Sequence, residues 1–530
     1  MITGKSRTRI KAARAMIVCV LAVCVVIYAF GQQANVPDRC ESIARPPRIQ
    51  PDYSGVVLPP NIAPLNFLVK EDAVQYRVVI SSQEGQPIEV VSRSPKIKIP
   101  LNPWHALLQQ NLQADLHFNV FIKTRDDRWA RFQRITNKIA NDKIDQYLIY
   151  RRIHPAHVMW RKMGVYERNL QNFDESPILS NGFYKDGCLN CHSFCNNRTD
   201  KMLLHIRSSE YGSSALLIQD GAPQKIGTKF GYTSWHPSGR LAAYSVNKVT
   251  QFFHASQQEV RDVIDLDSLI AYYSLDKRQT KTAPQLSKKD RLETYPAWSA
   301  DGRYLYFCSA PLTWTDRNAL PETWDKIKYD LVRVSYDLNT DSWGEIETVL
   351  AAKQTGLSAL LPRISPDGRW LLFCMCDYGC FPVYRRSSDL YMLDLEAARQ
   401  TGRYEPARLD ISSDESESWH SFSSNSRWIA FSSKRNSGAF TRIYLSYIDS
   451  EGRAHKPLVL PQKDPTYYNS CLWTFSVPEL VIEPVRARKE KLGRIVRSSS
   501  KIPEKFPVTA ATPKAGSLPM HEEPWLGQRE

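Results

Sequence analysis

No nucleophile elbow, no glycine-rich phosphate loop and no zinc-protease helix occurs in the 530 residues of this chain. That removes the motif grounds for reading a serine hydrolase, a P-loop enzyme or a metalloprotease. Charge of one sign is also scarce where it would matter. The formal net charge is +15, yet residues 1–31 supply five positive charges (Lys5, Arg7, Arg9, Lys11, Arg14) with no acid, and the tail 484–530 holds ten basic against five acidic residues. The long middle of the chain keeps only the remaining five, so the basic balance gives no support to a nucleic-acid partner. The uncharged apolar run Ala15–Phe30 is slightly short of the ~17–25 residues that span a bilayer.

What is present begins with that run. A basic stretch followed by apolar residues and by Ala29-Phe30-Gly31 has the layout of an export signal, with an uncleaved inner-membrane anchor as the alternative. Cys24 does not read as a lipoprotein site, because Val23 before it is large and apolar residues continue after it. The length implies two to four domains, and 13 Trp with 25 Tyr favour β structure. The expected organisation is a signal peptide or anchor over 1–31, an extended linker over 32–58 and an immunoglobulin-like β-sandwich over 59–135. A helical segment follows over 136–202, then a β-propeller over 203–482 and a disordered basic tail over 483–530. The sandwich rests on alternating runs such as Tyr76-Arg77-Val78-Val79-Ile80, and the helix on Ile139 to Leu148.

The propeller rests on a repeat. Trp235-His236-Pro237-Ser238-Gly239-Arg240, Trp298-Ser299-Ala300-Asp301-Gly302-Arg303, Ile364-Ser365-Pro366-Asp367-Gly368-Arg369 and Phe422-Ser423-Ser424-Asn425-Ser426-Arg427 each precede a short apolar run. Each is a tight turn between two strands, and the copies start 63, 66 and 58 residues apart. Four copies do not close a ring. Runs at 203–206 and 215–218, joined with Cys471-Leu472-Trp473-Thr474-Phe475, are expected to build a fifth blade from both ends of the domain, with a sixth in the insertions.

Chemistry concentrates in Cys188-Leu189-Asn190-Cys191-His192. Two thiols separated by two residues and followed by His are what covalent haem attachment requires: the thiols add to the vinyl groups and the imidazole ligates iron. This predicts one covalent haem c on Cys188 and Cys191, with His192 as proximal ligand. A zinc knuckle from Cys188, Cys191 and Cys195 is the competing reading, and it lacks the second spaced pair of ligands. His205 and Met163 are the candidates for the sixth position, with His157 and Met159 nearby in sequence; an open sixth position is the alternative. Cys308, Cys374, Cys376 and Cys380 suggest a disulfide or buried thiols more than a metal site, and Asp262, Asp265 and Asp267 a strand-end turn more than a calcium loop.

The repeats at 235–240, 298–303 and 364–369 resemble those of TolB-type propellers. Together with Pro60–Phe67, Met163–Tyr166, Cys188–His192, Ser423–Trp428 and Leu460–Pro465, they make most of residues 59–482 similar to exported single-haem TolB-like proteins of bacteria, often labelled cytochrome c biosynthesis proteins. That resemblance implies a mainly β architecture, a TolB-like β-propeller of five or six blades, in the periplasm or otherwise outside the cytoplasm. The haem segment is absent from TolB itself, so the role of TolB in envelope translocation is not carried over. The leading expectation is electron transfer, with the propeller docking a redox partner or envelope protein, rather than enzymatic turnover. A haem enzyme or ligand sensor with an open iron, and an interaction scaffold with a structural haem, are the alternatives.

Overall fold

The computed structural model describes residues 40–154, 162–184, 187–227, 230–254 and 261–499. The expected export segment, His157, Met159 and residues 500–530 lie outside the described residues. No helix among the described residues is long and apolar enough to cross a membrane.

Six four-stranded antiparallel sheets follow one another along the described chain. Their innermost strands are Cys188–Cys195 (blade 1), Gly231–Trp235 (blade 2), Arg291–Trp298 (blade 3), Ser358–Ile364 (blade 4), Glu417–Phe422 (blade 5) and Thr474–Val481 (blade 6). Each inner strand touches the next, and the sixth touches the first, so the sheets form a closed β-propeller. The expected repeat turns all lie between the first and second strands of a blade. Their serine bonds the residue two further on: Ser299 Oγ to Asp301 at 2.6 Å, Ser365 to Asp367 at 2.5 Å, Ser423 to Asn425 at 2.6 Å. The glycine that follows takes a left-handed φ of 73° in Gly302 and 75° in Gly368, and Ser426 adopts the same conformation at 61°.

Closure differs from the expectation. Residues 203–206 and 215–218 are the second and third strands of blade 1, whose inner strand is the cysteine motif itself. The partners of Thr474–Val481 are instead Tyr147–Ile153, Met163–Asn169 and Glu175–Ser180. Among its described residues, the segment expected to be helical over 136–202 is therefore mainly strand, with one short 3-10 turn at Asn181–Phe183. Its proposed helix, Ile139 to Leu148, runs from the end of one strand to the start of the next through a connector held by tertiary bonds: Asn61 accepts from Ile144 N at 3.0 Å and donates to Ile144 O at 2.8 Å, which satisfies peptide groups a helix would pair.

Ahead of the propeller, a seven-stranded and a three-stranded sheet form a sandwich, joined across the core by Phe67 and Phe118 with ring centroids 5.9 Å apart. Two features depart from the immunoglobulin-like, antiparallel layout. A helix, Leu101–Gln110, caps the core with Trp104, and two edge strands pair in parallel. Those edges come from the expected linker: Cys40–Ile43 pairs with Trp129–Phe132, and Val57–Leu58 with Lys138–Ile139. The sandwich seats on blades 5 and 6 through Lys96–Asp464 at 3.0 Å, Tyr53 OH to Val459 O at 3.4 Å and Trp428 Nε1 to Asp142 O at 3.0 Å.

The expected disordered tail also begins too early. Residues 489–497 form a helix that buries Leu492 and Val496 over the seam between blades 1 and 6. Lys225 Nζ donates to Val496 O at 2.6 Å, and Gly493 lies so close to Phe183 that a Cβ would approach it to 2.9 Å. Dense positive charge masks the short apolar stripe of this helix in the sequence.

Candidate functional site

Inner strands of this propeller share a bulge. In five blades the bulged residue takes a positive φ: Tyr232 (27°), Tyr295 (55°), Leu361 (55°), Trp419 (42°) and Val477 (52°). Blade 1 shifts register at the same point, between Asn190 and His192, so the backbone of Cys191 occupies that slot. His192 thus shares a slot with His420 of blade 5, and the next residues, Ser193, Ser234, Ala297, Arg363, Ser421 and Glu479, form one ring around the axis, one from each blade.

Three of the expected donors meet at the seam between blades 1 and 6. Cys188 is buried there in one apolar cluster with Met163, Tyr184 and Leu492, its Sγ 3.7 Å from an Arg207 guanidinium nitrogen. Met163 Sδ accepts from Leu189 N, inside the motif, at 3.0 Å. The His192 side chain meets the same seam: besides burial, the groups that act on it are Arg151 and the Ile149 and Val477 backbone of blade 6, together with the Arg363 charge of blade 4. Burial first, then the Arg151 guanidinium, push its pKa down to about 3, so the imidazole is neutral. Only 1% of His192 is exposed, and neither ring nitrogen makes a hydrogen bond of ordinary geometry.

His205 stands apart. It is the cross-strand partner of Asn190, but its Nε2 bonds Thr233 Oγ1 at 3.0 Å and its ring packs on Phe230, on the blade 2 side. Met163, not His205, is therefore the candidate on the side of Cys188 and His192. Cys195 also falls on the blade 2 side, in a different apolar cluster from Cys188 and 3.9 Å from His236 O. That separation removes the zinc knuckle, and among the described residues no group of three or more His, Cys, Asp or Glu side chains could hold a metal ion.

The remaining clusters resolve into structural contacts. Cys308, Cys374, Cys376 and Cys380 are free, buried thiols rather than disulfides, and burial pushes each of them up. The acidic stretch lies within the strand Arg261–Ser274, where Asp262 pairs with Arg385, Asp265 accepts from Asn247 at 3.0 Å, and Asp267 pairs with Arg317 at 2.5 Å.

Beside the motif the axis opens into a chamber of about 450 Å³, walled by the one-per-blade ring together with Trp235 and Trp298. Arg363 Nη2 bonds Glu479 Oε1 at 2.8 Å across it. Burial raises the Glu479 pKa, and Arg363 opposes the rise. Sequence reasoning missed this chamber, although aligning the four visible repeats places Ser234, Ala297, Arg363 and Ser421 in register.

No family model matches the chain, and no curated protein matches it. Solved structures that are similar to it include TolB from Acinetobacter baumannii, at 14% identity and a TM-score of 0.40, over 69% of this chain and 79% of that one. They also include oligogalacturonate lyase from Vibrio parahaemolyticus, at 11% identity and a TM-score of 0.31, over 58% and 92%. A third is puromycin hydrolase, at 13% identity and a TM-score of 0.35, over 59% and 45%. All three TM-scores lie below 0.5, and the fold rests on the topology of the chain itself: mainly β, a closed propeller behind a β-sandwich.

Proposed function

We propose that this chain is an exported c-type haem protein, with one haem joined to Cys188 and Cys191, His192 as proximal ligand and Met163 as distal ligand. The observation that carries the reading is His192: a fully buried, neutral imidazole that meets only the Ile149 and Val477 backbone, outside ordinary hydrogen-bond geometry, leaves a ring nitrogen under-used in the interior. The donor set fits the group, since thiol, neutral imidazole and thioether face one seam. A haem bound there supplies a one-electron carrier. The residues of the chain do the rest. Burial keeps His192 unprotonated, the seam excludes water, and the rigid ring of blades offers a face on which a redox partner docks.

The motif is extended in the strand Cys188–Cys195, and Cys188 is only 3% exposed beneath the C-terminal helix. Attachment to both thiols therefore has to precede closure of the seam, with the strand yielding at the Cys191 bulge. Intact-mass measurement of protein matured in a bacterial periplasm tests the reading. One added haem that survives acid denaturation, lost in Cys188→Ser, is expected, and unmodified mass under the same conditions removes the proposal. With haem attached, Met163→Ala opens the reduced protein to carbon monoxide while His205→Ala leaves it closed. The reverse pattern transfers the distal role to His205.

A further inference from the structure

We infer that the axial chamber is a binding site for a small hydroxylated carboxylate, held by Arg363 with help from Ser193. The proposal does not rest on the haem reading, since neither residue belongs to the donor set above, although Ser193 follows His192 in the strand and the Arg363 charge acts on that imidazole.

The ring that walls the chamber is the starting point. Five of its six slots hold a serine, an alanine or a carboxyl, and one holds a guanidinium that reaches into the space with about a third of its side chain exposed. Arg363 gives one hydrogen bond to Glu479, through Nη2, so the other edge of its planar fork is available to a second acceptor. Ser193 lines the same space, is 3% exposed, and its Oγ has no partner. A buried hydroxyl without a partner is uncommon, and this one sits in the same wall as an under-used guanidinium, so the two offer donors to one acceptor in the chamber. Ser234 and Ser421 do not have this character, because each already accepts from a backbone N–H, of Trp298 at 3.1 Å and of Leu480 at 3.3 Å.

Charge and wall chemistry narrow the class. Arg363 and Glu479 together are neutral when both are ionised, so the chamber has no excess positive charge for a polyanion. A single carboxylate can share the guanidinium through the edge that Glu479 leaves unused. Hydroxyls at three slots and the side chains of Trp235 and Trp298 give a wall that is part polar and part aromatic, as in sites for small polar organic ligands.

Calorimetric titration of the full chain with sodium gluconate tests the proposal, with glucose and inorganic phosphate as comparisons. Saturable binding of one gluconate per chain is expected, with no heat from glucose and weaker binding of phosphate. Arg363→Gln should weaken gluconate about tenfold to a hundredfold, the loss expected for charge-assisted bonds. Ser193→Ala, which leaves the ion pair intact, should weaken it about threefold to tenfold. Absence of gluconate binding overturns the proposal. So does unchanged affinity in Ser193→Ala or in a folded Arg363→Gln, or phosphate binding as tightly as gluconate.

Discussion

Blades 1 and 5 place a histidine in the same slot of the repeat and treat it in opposite ways. His420 donates from Nε2 to Leu372 O at 3.1 Å, and its Nδ1 faces the Cys374 thiol at 3.7 Å. His192 is equally buried, with its pKa likewise pushed down to about 3, yet it meets only the Ile149 and Val477 backbone and makes no hydrogen bond of ordinary geometry. The slot therefore imposes burial and neutrality, and the neighbouring strand decides how well the ring is hydrogen-bonded. The same contrast separates two carboxylates that share a slot one turn earlier. Glu417 of blade 5 receives Arg435, Ser433 and Ser413 at 2.7 to 2.8 Å. Glu293 of blade 3 receives only the Lys288 amide at 3.3 Å, and burial raises its pKa to about 8.

The largest expected effect breaks the satisfied member of the second pair. Glu417→Gln should destabilise the protein by about 3–5 kcal/mol in urea unfolding, because it leaves Arg435 without its buried partner. Glu293→Gln should not, and a loss as large as that of Glu417→Gln would show that the two slots are equivalent after all. Next in size is His420→Ala, which opens a cavity and orphans the Leu372 carbonyl, at about 3 kcal/mol. His192→Ala in haem-free protein should cost less than half as much, since it removes no hydrogen bond of the ordinary geometry that His420 makes to Leu372.

Leu492→Ala probes the seam that covers the motif. Truncating this buried side chain should cost about 2–3 kcal/mol. It should also speed alkylation of Cys188, read by mass spectrometry, whereas the equally buried Cys374 keeps its wild-type rate. The smallest effect is a slope. A carboxyl raised in the folded state holds its proton there after the unfolded chain has lost it, so its contribution is complete below about pH 4.5. It then declines with rising pH up to about 8. The decline is at most about 1.4 kcal/mol per pH unit. Glu293→Gln should flatten the dependence over that window, and an unchanged slope would place the titration elsewhere.

Much of this was legible in the chain. The turns at 237–240, 300–303, 366–369 and 424–427 announce themselves because Ser, Asp and Gly satisfy one another within five residues, so their spacing reveals repeated hairpins. The motif Cys188–His192 is legible for the same reason, since its chemistry is written in adjacent residues. What failed in the reading was long-range. The connector through Ile144 looks helical until Asn61, 83 residues away, takes its peptide bonds. The helix 489–497 looks like a charged tail until the seam offers Leu492 and Val496 somewhere to go.

The local sequence by itself determined the repeated turns, the β character and the Cys188–His192 motif on which the haem proposal rests, because each depends on residues a few positions apart. Only the tertiary structure decided that the motif is the inner strand of blade 1, that Met163 and His205 lie on opposite sides of it, and that Arg363 and Glu479 meet across the axis. Those outcomes follow from ring closure, which joins Thr474–Val481 to strands more than 300 residues earlier. No local pattern encodes which blade will sit beside which, and burial and pairing at the axis exist only once all six sheets are in place.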